Sequence, residues 1–362
     1  MRFNNLRYFF AKIFYAGSYL DSVNDFFNQK ILGHTKIIGW WRGRPVYSSF
    51  LVPGLSKPLG NLVSQYLVKM MGEENFPGIM NIGVIDKCNC NCNHCSFKGS
   101  MDKESSKDLL TLEDFKKIID QSLDLGATVI NFVGGEPLLN KDLPKIIEYI
   151  NKDKAVSSVF TNGWFLKNKA KELKKAGLMQ VNVSLDFVTP KEHDDFRGIR
   201  GTFAKVIEGI KECQKVGLLT AISTTVTQEK LKNGEFEKMI FLAKKLKVNE
   251  VVVLDMMDSG MYSHMYSKDK PINKKRLYEI VDKYNKRKDF PGIFCYSRLR
   301  DVFGCCAGRN YFYVSPFGNI HPCDFTSEIH GNIKKTPLKA IWKKLSIERK
   351  GVGCFKGSCG CV

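Results

Sequence analysis

CNCNCNHC, residues 88–95, sets four cysteines and a histidine within eight residues, directly behind the apolar run Ile79–Ile85. A short apolar run that ends in such a loop reads as a strand. Three chemistries compete for the loop. A structural zinc takes four ligands in pairs spaced C-x2-4-C, and so short a loop strains to wrap a tetrahedron. A redox pair takes C-x-x-C at a helix start; Cys92 and Cys95 satisfy this and leave the other cysteines unexplained. Read as C-x3-C-x2-C, Cys88, Cys92 and Cys95 hold three corners of a four-iron cluster and leave the fourth iron open to a small molecule. The place of the loop, behind the first strand of an α/β sheet, favours the third reading, because sites in such sheets lie at strand carboxyl ends.

Further strands are expected at 128–133, 156–160, 181–185, 220–226 and 250–255, with helical patterns between them. Thr111 with Asp114 resembles a capping box that opens a helix carrying Phe115, Ile118 and Ile119 inward. Another helix is expected over Thr202–Val216, ended by Gly217. Six strand–helix units imply a parallel sheet with right-handed crossovers, either doubly wound or a partial barrel.

The flanks differ from this core. In residues 1–75, RFNNLRYFFAKIFYAG (2–17) mixes aromatics with Arg2, Arg7 and Lys12, as an in-plane membrane helix does. Leu59, Leu62 and Val63 begin an amphipathic helix with Ser56 as N-cap and Pro58 in its first turn. Residues 290–362 hold seven cysteines, of which Cys305, Cys306, Cys323, Cys354, Cys359 and Cys361 are set among glycines, and 311–323 read as a hairpin turning at Pro316–Gly318. The expected organisation is an extension over 1–75, mostly helical, a core over 76–256, a connector over 257–289 and a cysteine-rich α+β unit over 290–362. The formal charge of +19 points to an anionic partner or to a lysine-rich solvated surface. Twelve cysteines in two groups, with no secretory signal, fit metal sites in a reducing cytoplasm.

Downstream of the cysteine loop stand GGEPLL (134–139), TNG (161–163), SLD (184–186) and FRGIRGTF (196–203), each at the end of, or after, an expected strand. With C-x3-C-x2-C, this order resembles the radical S-adenosylmethionine enzymes over about 79–256. The resemblance implies a partial (β/α)6 barrel. It also implies a [4Fe-4S] cluster on Cys88, Cys92 and Cys95, with Cys90 as the spare thiol, and S-adenosylmethionine on the open iron. Cleavage of that ligand by one electron, from a donor such as flavodoxin or ferredoxin, would give a 5′-deoxyadenosyl radical. Gly134, Gly135, Glu136, Pro137, Ser184, Asp186, Arg197 and Thr224 become cofactor-binding candidates, with Thr225 beside Thr224. In that set the glycines let backbone approach the ligand, Glu136 or nearby carbonyls accept from its ammonium, Ser184 and Arg197 hold its carboxylate, and Asp186 meets ribose hydroxyls. The catalytic group toward substrate stays unassigned.

CAGRNYFYVSPFGNIHPC (306–323) is similar to the opening of the SPASM and twitch auxiliary-cluster domains, and CFKGSCGCV (354–362) departs from their ending. Six cysteines suffice for one further four-iron cluster. The resemblance assigns it to Cys306, Cys323, Cys354 and Cys359, with Cys305 and Cys361 undecided. The functions expected are peptide or protein oxidation or crosslinking, then lipid-chain chemistry at the inner membrane face, then a non-catalytic iron–sulfur protein; nucleic acid is not an expected partner.

Overall fold

The computed structural model describes residues 34, 36–70, 75–100, 108–255 and 271–349. The stretch 2–20, much of the connector, and Cys354, Cys359 and Cys361 lie outside the described residues.

Among the described residues the amino-terminal extension holds a hairpin beside its helix. β1 (Gly39–Trp41) pairs with β2 (Arg44–Val46) across Arg42-Gly43, both at positive φ (48° and 74°). That is the two-residue turn whose twist matches antiparallel strands, and it needs glycine at its second position. The expected helix follows as Lys57–Met70, with Ser56 Oγ accepting from Leu59 N at 3.2 Å. Ile38, Trp41, Val46 and Val52 pack with Val129, Val156 and Met179, so the hairpin closes the amino end of the sheet.

All six expected strands form: β3 (Ile79–Gly83), β4 (Val129–Val133), β5 (Val156–Thr161), β6 (Gln180–Ser184), β7 (Leu219–Val226) and β8 (Glu250–Asp255). They pair in sequence order and in parallel. The capping box on Thr111 and Asp114 is made, and Phe115, Ile118 and Ile119 of helix Leu112–Asp124 are buried. The sheet is larger than expected. β9 (Gly292–Cys295) joins β8 in parallel, and β10 (Tyr311–Val314) joins β3 in parallel. β10 turns back antiparallel into β11 (Asn319–His321), which pairs with β12 (Gly331–Asn332). The expected hairpin is therefore present but continues the core sheet, which has ten strands in the order 12-11-10-3-4-5-6-7-8-9.

Alternation sorts the two faces. Ile222, Val251 and Val253 face the helices, whereas Ala221, Val252 and Phe294 meet Tyr47, Phe50 and Leu51 on the inner face. Phe50 lies 6.1 Å from the Phe160 ring on β5 and 4.5 Å from the Phe294 ring on β9. In a flat sheet those strands would stand about 19 Å apart. The sheet is curled into a partial barrel, with residues 47–51 as its floor.

A buried hydrogen-bond ladder crosses the inner face. Asn81 Nδ2 donates to Asp324 (3.1 Å), Asn131 Nδ2 to Asn81 (2.9 Å), Ser158 Oγ to Asn131 (2.7 Å) and Asn182 Nδ2 to Ser158 (3.2 Å). Gln180 Nε2 then reaches Glu250 at 3.0 Å, and Glu250 accepts from Ser49 N at 3.0 Å. Polar groups so buried are tolerated because each finds a partner, and together they fix the registry of neighbouring strands.

Candidate active site

The cysteine loop leaves the carboxyl end of β3 and is held on two sides. Asn91 N donates to Arg197 O at 3.1 Å, while Gly135 N and Glu136 N donate to Ile85 O (2.9 Å) and Lys87 O (2.8 Å). Cys88 is exposed, Cys92 and Cys95 are half-buried, and Cys90 is buried. Asn162 Nδ2 lies 3.2 Å from Cys90 Sγ, 3.8 Å from Cys88 Sγ and 2.8 Å from Asn89 Oδ1. Hydrogen bonding from Cys90 pulls the Cys88 and Cys92 thiols down, to about 6 and about 7, and Arg197 adds to the effect on Cys92. Hydrogen bonding with Cys88 and Cys92, together with burial, pushes the Cys90 thiol up. Burial raises the Cys95 thiol. Among the described residues no three His, Cys, Asp or Glu side chains are drawn together at metal-binding spacing.

Gly134 and Gly135 answer a constraint inside the chain. Gly134 has φ +128°, and a Cβ on Gly135 would stand 2.1 Å from Lys87 O. The close approach is to the backbone of the cysteine loop, in place of the expected ligand. Gly135→Ala must push that loop away. It is expected to cut S-adenosylmethionine cleavage about 10²-fold and to lower iron bound per chain on anaerobic reconstitution. Gly60→Ala, in open space on the helix Lys57–Met70, is expected to change neither.

Glu136 likewise has partners within the chain. It is buried, and Oε1 accepts from Leu138 N (3.0 Å) and Thr161 Oγ1 (2.5 Å), while Oε2 accepts from Asn162 N (2.8 Å). Its side chain staples the turn after β4 to the turn after β5, so the expected ammonium contact does not have a free oxygen there. Burial raises its carboxyl to about 7. Pro137 opens the 3-10 turn Pro137–Leu139 that Glu136 caps.

Asp186 is also committed. Its Oδ2 pairs with Arg197 Nη2, and Oδ1 accepts from Thr225 N (3.0 Å) and Thr225 Oγ1 (2.8 Å). Burial would raise this carboxyl, yet Arg197 and Lys230 hold it well below the usual carboxylate range. The expected ribose contact gives way to a positioning role for Arg197. Thr224 faces the helix layer, buried, by the alternation that puts Ser223 and Thr225 inward; Thr225 is the inner threonine. Ser184 ends β6, half-buried, on the inner side with Asn182. Lys230 escapes a reading of the chain alone because QEKLK (228–232) has the pattern of a solvated helix. Its Nζ is bonded to Asp186 O (2.8 Å) and Thr225 O (3.0 Å) and sits 4.1 Å from the Phe187 ring centre. His94 stacks on Phe196 at 3.9 Å, and burial lowers it to about 3.

The second cysteine group lies at the other end of the sheet. Tyr311 pairs with Ile79 at the start of β3, so Cys305 and Cys306, just before β10, stand at strand amino ends. Cys323 returns there after β11, and the three cysteines share a small cluster with Ala307, Tyr311 and Phe325. Asp324, beside Cys323, accepts from Tyr311 OH at 2.7 Å and begins the inner-face ladder.

Residues 82–243 match the Radical SAM superfamily, and residues 305–359 match SPASM, an iron–sulfur cluster-binding domain. A GTP 3′,8-cyclase of Thermodesulfovibrio yellowstonii is 32% identical over 71% of this chain and 84% of its own length. An AdoMet-dependent heme synthase of Methanosarcina barkeri is 27% identical over 80% and 90%. The antilisterial bacteriocin subtilosin biosynthesis protein AlbA of Bacillus subtilis is 27% identical over 78% and 64%. Streptococcus suis SuiB bound to precursor peptide SuiA has the same fold, with TM-score 0.64 and 18% identity, over 85% of this chain and 75% of that one.

The site fits the amino-acid part of S-adenosylmethionine. Around the loop, Arg197 Nε and Asn89 Nδ2 are buried donors without an acceptor, and Asp86 Oδ1 is a buried acceptor without a donor. A carboxylate would complete the first two and an ammonium the third. Two thiols shifted toward thiolate suit iron, since the thiolate is the ligand. The chain belongs to the radical S-adenosylmethionine enzymes, SPASM subgroup, whose cofactors are a [4Fe-4S] cluster, S-adenosylmethionine and an auxiliary iron–sulfur cluster.

Proposed function

We propose that the chain oxidises or crosslinks a peptide by abstracting hydrogen from one of its unactivated carbons. When bound, the cluster and S-adenosylmethionine supply the 5′-deoxyadenosyl radical for that abstraction. Cys88, Cys92 and Cys95 are the proposed iron ligands, and Cys90 remains the spare thiol, its backbone N–H on Cys88 Sγ. Arg197 and Asn89 would hold the carboxylate of S-adenosylmethionine, with Ser184 nearby on the inner face. Asp86 replaces Glu136 as the acceptor for its ammonium. Asp186, Thr225 and Lys230 position Arg197, while Glu136, Gly134, Gly135 and Pro137 hold the cysteine loop. Cys306 and Cys323 are proposed for the auxiliary cluster together with Cys354 and Cys359, one four-iron cluster that leaves Cys305 and Cys361 over.

The observation that carries the peptide reading is the placement of two cysteine groups at opposite ends of one inner face. A substrate lodged in the barrel faces both, which suits a net oxidation: hydrogen leaves at one end and the remaining electron at the other. The names of AlbA and of the SuiB–SuiA complex support a peptide; those of the heme synthase and the GTP cyclase supply the competing substrates. The test uses the anaerobically reconstituted protein with S-adenosylmethionine, a low-potential reductant and precursor peptides encoded beside its gene. Loss of two hydrogens from a peptide, matched by 5′-deoxyadenosine, is expected. Stimulation of 5′-deoxyadenosine by an iron porphyrin or by GTP, and by none of the peptides, would overturn the reading.

A further inference from the structure

A cleft of about 920 Å³ opens where β8 and β9 begin, at the end of the sheet opposite the Cys88–Cys95 loop. Its apolar wall includes Ile38, Val248, Phe290 and Pro291. Its rim is cationic. Lys244 and Arg298 are paired with Asp289 and Asp282. Lys36 is fixed, its Nζ donating to the carbonyls of Tyr284, Phe290 and Pro291 at 3.0–3.3 Å. Lys247, Lys286 and Lys288 are exposed on the lining and have no ion-pair partner among the described residues.

Two further features set this cleft apart from an ordinary lysine-rich surface. Lys247 follows the C-cap of helix Glu235–Lys245 at φ +53°, a position that favours glycine or asparagine. A cation is kept there against backbone preference, the pattern of strain held at functional sites. His34, 6% exposed, lines the wall. Its Nδ1 accepts from Lys36 N at 3.1 Å, and burial lowers its pKa to about 3, so the neutral ring carries its proton on Nε2. That Nε2–H is buried and has no acceptor.

We propose that this cleft docks an acidic stretch of the peptide substrate, its carboxylates on Lys247, Lys286 and Lys288 and its apolar side chains against Ile37, which is 47% exposed on the lining. The inference rests on the peptide reading above and adds where recognition occurs, away from the chemistry. The concave form disfavours a flat bilayer, and the apolar wall disfavours a bare phosphate.

The test measures fluorescence anisotropy of a labelled short peptide of alternating glutamate and leucine on the full chain. Binding is expected to be salt-sensitive and to weaken about tenfold or more in the triple variant Lys247→Glu, Lys286→Glu, Lys288→Glu. The glutamine triple variant, free of charge reversal, is expected to weaken it as well. A lysine–leucine peptide is expected not to bind, and S-adenosylmethionine cleavage without substrate to stay unchanged in both variants. Equal binding by wild type and variants overturns the proposal. So does competition by tripolyphosphate as effective as by the peptide itself, or flotation with anionic vesicles that needs the lysines while the peptide does not bind. If peptide modification fails but the probe binds through the lysines, the cleft stands and the substrate reading falls. If modification proceeds with unchanged KM in the variants, the reverse holds.

Discussion

Cys88→Ala, Cys92→Ala and Cys95→Ala each abolish cleavage of S-adenosylmethionine, and Cys90→Ser leaves it near the wild-type rate: this is the largest expected effect. Spacing allows Cys90 to replace a neighbour in the triad, but the fold does not favour it. Cys90 is buried against Asn162, whereas Cys88 is exposed and Cys92 and Cys95 are half-buried, so those three are the thiols the loop presents for iron. The three alanine variants are expected to lose about 10³-fold or more, equivalent to about 4 kcal/mol of transition-state stabilisation. The readout is 5′-deoxyadenosine formed per chain, beside iron content and the visible absorbance of the cluster. A Cys90→Ser protein without cluster, or a Cys88→Ala protein with full turnover, would reassign the triad.

The second large effect is on stability. Asp186→Asn removes the one carboxylate between Arg197 and Lys230, both buried. Breaking a buried pair from one side leaves an uncompensated charge, and the expected loss is about 3–5 kcal/mol. The measurement is the urea midpoint of the apoprotein at unchanged m. The exposed pair Lys191–Asp195 is the control, and Asp195→Asn is expected to leave the midpoint in place. The pH dependence has a definite sign. The folded pKa of Asp186 is depressed, so its contribution is complete above the unfolded carboxylate value of about 4 and is lost only as acid approaches the folded value. An Asp186→Asn variant that unfolds at the wild-type midpoint would show that the pair contributes nothing net.

Asp186 and Glu136 also show what a motif leaves open. Both stand in motifs, SLD and GGEP, whose resemblance implies contact with the cofactor. Each is instead taken up by its own protein, Asp186 by Arg197 and Thr225, Glu136 by Thr161, Asn162 and Leu138. A motif marks that a residue type is needed at a place; it does not say whether the partner is ligand or backbone. Asn162, which stands within TNG and has no role assigned from the sequence, is the residue that touches the cysteine loop.

What the sequence by itself determined was local: six strands from apolar runs, helix starts from Ser56 and Thr111, the turn at Pro316–Gly318, and the family from motifs in order. Periodicity, capping and loop spacing act within a few residues, so the chain displays them directly. Tertiary structure alone decided the rest. Tyr311 pairs with Ile79 from 232 positions away, a contact no local pattern encodes, and it turns the cysteine-rich tail into part of the core sheet. Which of the candidates Thr224 and Thr225 faces inward is a one-residue matter of pleat, settled only by register against β6 and β8. Lys230 is buried because Asp186 and two carbonyls lie where its helix places it. A charge can be held inside only by partners the fold brings to it.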